Sequence, residues 1–172
     1  MFQTGQLVVY GGEGVCRVIN VGVPHLTGMD IQDAYYTLCP LGHKVMIYIP
    51  VDHAEHLRPI MTRQQAQGLI EKMPEIEPLP CVSSGPFVQR ESYDEALHTH
   101  DCIGLVRILK TVYVKQHRNP GTRHALGRID EEYRKRAEDI LYSEFSAALD
   151  IPRDQIPSYI EKTVLQFEKE RA

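Results

Sequence analysis

Apolar residues recur at two different periods along this chain, and the change from one to the other falls near residues 58–62. Before it, short runs rich in valine, isoleucine and tyrosine alternate with glycine. Residues 7–10, 15–21, 34–38 and 45–49 read as strands, broken by turns at Gly11-Gly12 and around Pro40 to Gly42, with a longer loop containing Pro24 and Gly28. In the second run, strict alternation puts Cys16, Val18 and Asn20 on one face and Val15, Arg17, Ile19 and Val21 on the other. Tyr35, Tyr36, Ile47, Tyr48 and Ile49 supply broad, stiff side chains for cross-strand packing. A last short strand near residues 57–60 is expected to close this sheet into a small β-barrel.

The rest of the chain repeats every three to four residues. Thr62-x-x-Gln65 is a capping-box signal: the threonine oxygen accepts a first-turn amide while the glutamine reaches back to the cap. Ala66, Leu69, Ile70 and Met73 form the stripe of the helix it opens. Pro74, Pro78 and Pro80 end that helix and stiffen a connector over residues 74–86. Helices are then predicted within residues 88–97 and 103–113, the second packing through Ile103, Val106, Leu109 or Lys110, and Tyr113. After Asn119-Pro120-Gly121 comes the clearest helix, residues 128–149, with Ile129, Tyr133, Ala137, Ile140, Leu141, Phe145 and Leu149 buried. Tyr159, Ile160, Val164 and Phe167 suit a final packed helix. The predicted class is therefore α+β, with a barrel over residues 1–60 and a compact all-helical domain over residues 61–172.

Charge adds one feature to this outline. The chain of 172 residues has a net charge of only -4, so its bulk composition does not advertise a nucleic-acid partner. Residues 104–136, however, hold nine basic against three acidic residues, a local charge of +6, whereas residues 137–172 carry -4. Such a local field can meet phosphate in an acidic protein, because screening confines distant charges to roughly 10 Å. No stretch approaches the roughly 20 apolar residues that span a bilayer. The first residues lack a secretory-signal pattern, which predicts a cytosolic protein with reduced thiols at Cys16, Cys39, Cys81 and Cys102.

The enzyme-like clusters read better as structure. Asp52-His53-x-Glu55-His56 follows a strand and lacks the helical His-Glu-x-x-His spacing of a zinc site. In His98-x-His100-Asp101-Cys102, a helix cap from Thr99 or Asp101 is simpler than a metal. Gly11-Gly12-x-Gly14 precedes a strand, where a phosphate loop needs a helix. The expectation is a docking module with no catalytic residue, metal, cofactor or small-molecule substrate.

Phe2-x-x-Gly5-x-x-Val8-Val9-Tyr10, then Gly14-Val15, Tyr35-Tyr36, Ile49-Pro50-Val51 and Leu57-Arg58, stand in an order that resembles the CarD/CdnL family of bacterial RNA-polymerase-binding transcription regulators. Phe87-x-x-Arg90-x-x-Tyr93 and Val106-Arg107-x-Leu109 resemble that family's helical domain. The resemblance implies a Tudor/SH3-like N-terminal domain docked on the polymerase β subunit, and a helical domain that meets promoter DNA at the upstream edge of the bubble. It implies stabilisation of the opened promoter without long base-sequence recognition. On this basis Tyr35, Tyr36, Tyr48 and Arg58 are the polymerase-facing candidates, and Phe87, Arg90, Arg107, Lys110, Arg123 and Arg128 the DNA-facing ones. Family members often use a tryptophan at the start of the helical domain as a minor-groove wedge. This chain has no tryptophan, and Phe87 stands in the matching place, either as a wedge or as part of the domain's packing. A polymerase or repair-protein adaptor that keeps barrel docking but has lost productive DNA binding is the alternative.

Overall fold

The computed structural model describes residues 1–27, 32–80, 85–99, 101–118 and 126–172. The chain divides into two compact units, Met1–Ile60 and Met61–Ala172.

The first unit is an antiparallel sheet of β1 (Leu7–Tyr10), β2 (Gly14–Gly22), β3 (Tyr35–Pro40), β4 (Ile47–Pro50) and β5 (Leu57–Pro59), in the order β4-β3-β2-β1-β5. β4 bonds only to β3 and β5 only to β1 among the described residues, so the sheet is open and the expected barrel does not form. Its ends are poorly suited to closure. β5 has three residues and β4 four, and each ends in a proline, which has no amide hydrogen for a further ladder bond.

One face carries the core, made of Val8, Cys16, Val18, Tyr36, Leu38, Ile49 and Leu57. The expected alternation along β2 fails after Val18. The register moves from Val18 opposite Leu38 to Asn20 opposite Thr37, leaving Ile19 as an unpaired, exposed extra residue. That bulge turns Val21 back onto the core face and Asn20 away from it. Gly14, at φ 76°, occupies backbone space closed to most side chains and allows the tight turn from β1 into β2.

The second unit packs α1 (Arg63–Lys72), α2 (Pro86–His98), α3 (Cys102–His117), α4 (Arg128–Leu149) and α5 (Ile156–Arg171) around one apolar core. The predicted capping box forms: Thr62 accepts the Gln65 amide at 3.2 Å, and Gln65 accepts the Thr62 amide at 2.8 Å. The α4 stripe is buried from Tyr133 to Leu149 as its periodicity predicts, with Ile129 half-buried at its start. The α3 stripe differs, because Ile103 and Tyr113 are exposed while Leu105, Val106, Ile108 and Val112 fill the core. α3 is apolar around much of its circumference, so periodicity leaves two neighbouring stripes nearly equivalent and the packing partner selects one.

Two features bind this unit. Glu144, fully buried on α4, accepts the Met61 amide at 2.9 Å and the Cys102 thiol at 3.1 Å, tying the entry of the helical unit and the start of α3 to the longest helix. At the corner between α2 and α3, Asp101 caps the Gly104 amide at 3.1 Å and Thr99 donates to the Ala96 carbonyl at 2.9 Å. A Cβ on Gly104 would lie 2.1 Å from that same carbonyl oxygen and 2.5 Å from Thr99 Oγ1. Gly104→Ala is therefore expected to destabilise the helical unit by about 2 kcal/mol through forced separation of the two helices. Urea unfolding followed by circular dichroism measures this, and an unchanged midpoint would show that the corner opens at no cost.

Candidate functional site

Among the described residues no group of three histidine, cysteine, aspartate or glutamate side chains is placed to hold a metal ion, and no helix is long and apolar enough to cross a membrane. The described residues among those singled out from the sequence fall in both units, some on the sheet and some in the helical bundle.

In the sheet, the pleat separates the tyrosines. Tyr36 is 2% exposed; its ring packs edge-on against Phe2 at 5.8 Å and its hydroxyl accepts the Phe2 amide at 3.2 Å. Tyr35 and Tyr48 share the opposite face, because Tyr35 pairs with Pro50 and Thr37 with Tyr48. Tyr35 is half-buried, whereas Tyr48 is 38% exposed on the edge strand. Arg58 lies half-buried on β5, opposite Val9, and donates to the Pro59 carbonyl at 3.2 Å. Val45, 63% exposed, and the exposed Met46 and Leu41 add apolar surface around the β4 edge. The sequence pattern hid these residues, since Val45 continues the alternation of Ile47 and Ile49 and reads as another core position.

In the helical unit, three helix ends meet at one carboxylate. Asp130, in the first turn of α4, accepts at Oδ1 from the Tyr93 hydroxyl at 2.6 Å, from Lys115 Nζ at 2.9 Å and from the Gln89 side-chain amide. Lys115 also lies 3.4 Å from the Tyr93 hydroxyl and 5.5 Å from its ring centre. Tyr93 packs on Tyr133 at 5.0 Å, and Tyr133 donates to Asp94. Burial, and after it the Asp94 carboxylate, raise the Tyr133 pKa, so the phenol remains a donor at neutral pH. The start of α2, the end of α3 and the start of α4 thus form a single end of the bundle.

Phe87 stands in the first turn of α2 at this end, directly after Pro86, and is 79% exposed. It contributes almost nothing to the core. Arg90, one turn further, is held over the Tyr133 ring at 5.8 Å and 3.7 Å from Glu132, with its side chain still 48% exposed. Arg128 is exposed as the first residue of α4. Gly85 gives α2 no side-chain cap and its first turn has no acidic residue, so the start of the helix adds positive partial charge beside Phe87.

Arg107 and Lys110 lie elsewhere. Arg107 donates to the Glu77 carbonyl at 3.3 Å and Lys110 to the Pro74 carbonyl at 2.7 Å, so both hold the connector against α3. Leu79 adds to this attachment by donating its amide to Thr111 Oγ1 at 2.8 Å. Arg123 and the Asn119-Pro120-Gly121 turn lie outside the described residues. Sequence reasoning missed Gln89, Lys115 and Asp130 altogether, because a buried ion pair between separate helices leaves no periodic mark.

A family description, the CarD-like/TRCF RID domain, matches residues 2–61. The comparison with curated proteins gives no match. The matched segment coincides with the open sheet and includes Tyr35, Tyr36, Tyr48 and Arg58.

The same sheet buries Cys16 completely, and burial, with Glu13 and Cys39 adding to it, pushes its pKa up to about 12. Its thiol stays protonated across the neutral range and is therefore a poor nucleophile. Alkylation of the folded protein at pH 8 is expected to modify the half-buried Cys39 before Cys16, with Cys16 reacting only on unfolding. Peptide mass spectrometry after timed iodoacetamide treatment reads this order, and early labelling of Cys16 would mean that the sheet opens readily.

Proposed function

For a chain that belongs, through residues 2–61, to the CarD-like RID-domain family, we propose a non-catalytic regulator that docks on RNA polymerase through its sheet and contacts promoter DNA through its helical unit. The family match supports the polymerase association. The single observation that favours a DNA contact is the exposure of Phe87.

On the sheet, the β4 edge is the better docking strand. An open sheet offers unpaired backbone groups on its outer strands, to which another chain can add. β5 is the shorter strand, and Arg58 turns back on the adjacent carbonyl. β4 has exposed apolar neighbours in Tyr48, Val45 and Met46, which can anchor a strand of the polymerase β subunit by side-chain contact while its backbone adds ladder bonds. Tyr35 borders this surface, whereas Tyr36 serves by holding the sheet together.

At the bundle end, Phe87 projects an apolar ring from a rigid helix start with Arg90 and Arg128 on the helices that converge there. A ring of this kind can press against a base step while arginines meet the flanking phosphates, a combination that needs no base-specific hydrogen bond. Phenylalanine has less area than tryptophan and no indole donor, which suits a weak contact. Docking on polymerase raises the local concentration of DNA, so a contact too weak to act alone can hold an opened promoter. Arg107 and Lys110 are secondary phosphate candidates, because their side chains already serve the connector.

The test uses purified polymerase and a promoter fragment. Tyr48→Ala should weaken polymerase capture by about tenfold, the effect of losing an anchor worth about 1.4 kcal/mol. Phe87→Ala should leave capture unchanged and shorten the open-promoter lifetime several-fold. Intact capture with an unaltered lifetime would leave an adaptor without a DNA role. Undiminished capture by Tyr48→Ala would remove the β4 edge from the interface.

A further inference from the structure

Phe87 can press on DNA only if the first turn of α2 is held at a defined angle, yet this turn has no side-chain cap and Phe87 itself is outside the core. Apolar packing is non-directional and leaves a helix some freedom to rotate or slide. Hydrogen bonds to one fixed atom remove that freedom. We infer that the Asp130–Lys115 ion pair, with Gln89 and Tyr93, is a positioning device that sets the orientation of the DNA-facing end of α2, an inference that rests on the DNA contact proposed above.

The geometry is specific. Gln89 is two residues beyond Phe87, and Tyr93 one further turn along the same helix. Both reach Asp130 Oδ1, which Lys115 also engages at 2.9 Å. Two side chains of α2 thus converge on one oxygen of α4, while α3 supplies the neutralising charge. The pair is sequestered, with side-chain exposures of 15% for Lys115 and 10% for Asp130. It therefore resists salt more than an exposed pair and is unsuited to binding phosphate itself. The Lys115 ammonium also cancels a carboxylate that would otherwise repel a polyanion beside Phe87. Replacing a buried pair with well-packed apolar groups can preserve stability while losing directional constraint. That difference separates positioning from mere support of the fold.

Four full-length proteins test the idea: wild type, Phe87→Ala, Lys115→Met, and the double variant Lys115→Met with Asp130→Leu. Polymerase capture, thermal midpoint and open-promoter lifetime are measured for each. Lys115→Met leaves a carboxylate without its counter-charge and is expected to lower both midpoint and lifetime. The double variant should regain the wild-type midpoint and retain polymerase capture, yet keep a lifetime at least threefold shorter than wild type. Recovery of lifetime together with midpoint would overturn the inference, since apolar packing would then suffice. If the double variant fails to regain its midpoint, Asp130→Asn, which keeps an acceptor oxygen for Gln89 and Tyr93, replaces it. A folded Asp130→Asn protein with wild-type lifetime overturns the role of the charge pair, whereas a shortened lifetime supports it. A normal lifetime in Phe87→Ala would instead defeat the underlying DNA contact, and the inference with it.

Discussion

A carboxylate taken out of water needs donors in exchange, and Asp130 obtains them from Gln89, Tyr93 and Lys115. This requirement brings the start of α2, the end of α3 and the start of α4 together. It converts three amphipathic segments, each able to pack in several ways, into one defined bundle end. The exposed position of Phe87 follows from that convergence. Gln89 and Tyr93 face the carboxylate, so Phe87, two residues before Gln89 on the helix, projects from another side. Glu144 performs a related task deeper in the same unit, where the Met61 amide and the Cys102 thiol meet its carboxylate. Buried acids thus organise the helical unit at two levels, while its apolar residues supply most of the driving force for packing.

The sheet works by a different constraint. Its core face is continuous only because the bulge at Ile19 returns Val21 to the same side as Cys16 and Val18. The strands on its two edges remain unpaired on their outer sides among the described residues. An open edge is a hazard in a protein that acts alone and an asset in one that must add to a partner. The exposed Tyr48 and Val45 beside β4 give that edge apolar surface as well as backbone groups. In the docking role proposed above, the sheet needs neither a pocket nor a reactive side chain.

Much of this was legible from residue order, though unevenly. The capping box at Thr62 and Gln65 and the α4 stripe from Ile129 to Leu149 were readable because their geometry is local: a cap spans one turn and a stripe repeats along one helix. The α3 face was misjudged at Ile103 and Tyr113, since an apolar helix has more than one possible buried side. Alternation misplaced Asn20 and Val21, because a bulge shifts register without an obvious sequence mark. The barrel expected from the strand pattern proved to be an open sheet, as short edge strands ending in proline do not supply the pairing that closure needs. Among the site candidates, the family resemblance singled out Phe87, but only its surroundings distinguish an exposed ring from a packed one.

By itself the sequence determined the change from strands to helices, the placement of the glycine turns and the polarised charge of the helical half. Its ordered motifs also carried the family resemblance. These are properties of neighbouring residues and of patterns along a single segment. Tertiary structure decided which tyrosine faces outward, which basic residues hold the connector, and which acid joins three helices. Those outcomes depend on side chains distant in sequence competing for the same space, donors and water, and a competition of that kind is resolved only when the segments pack.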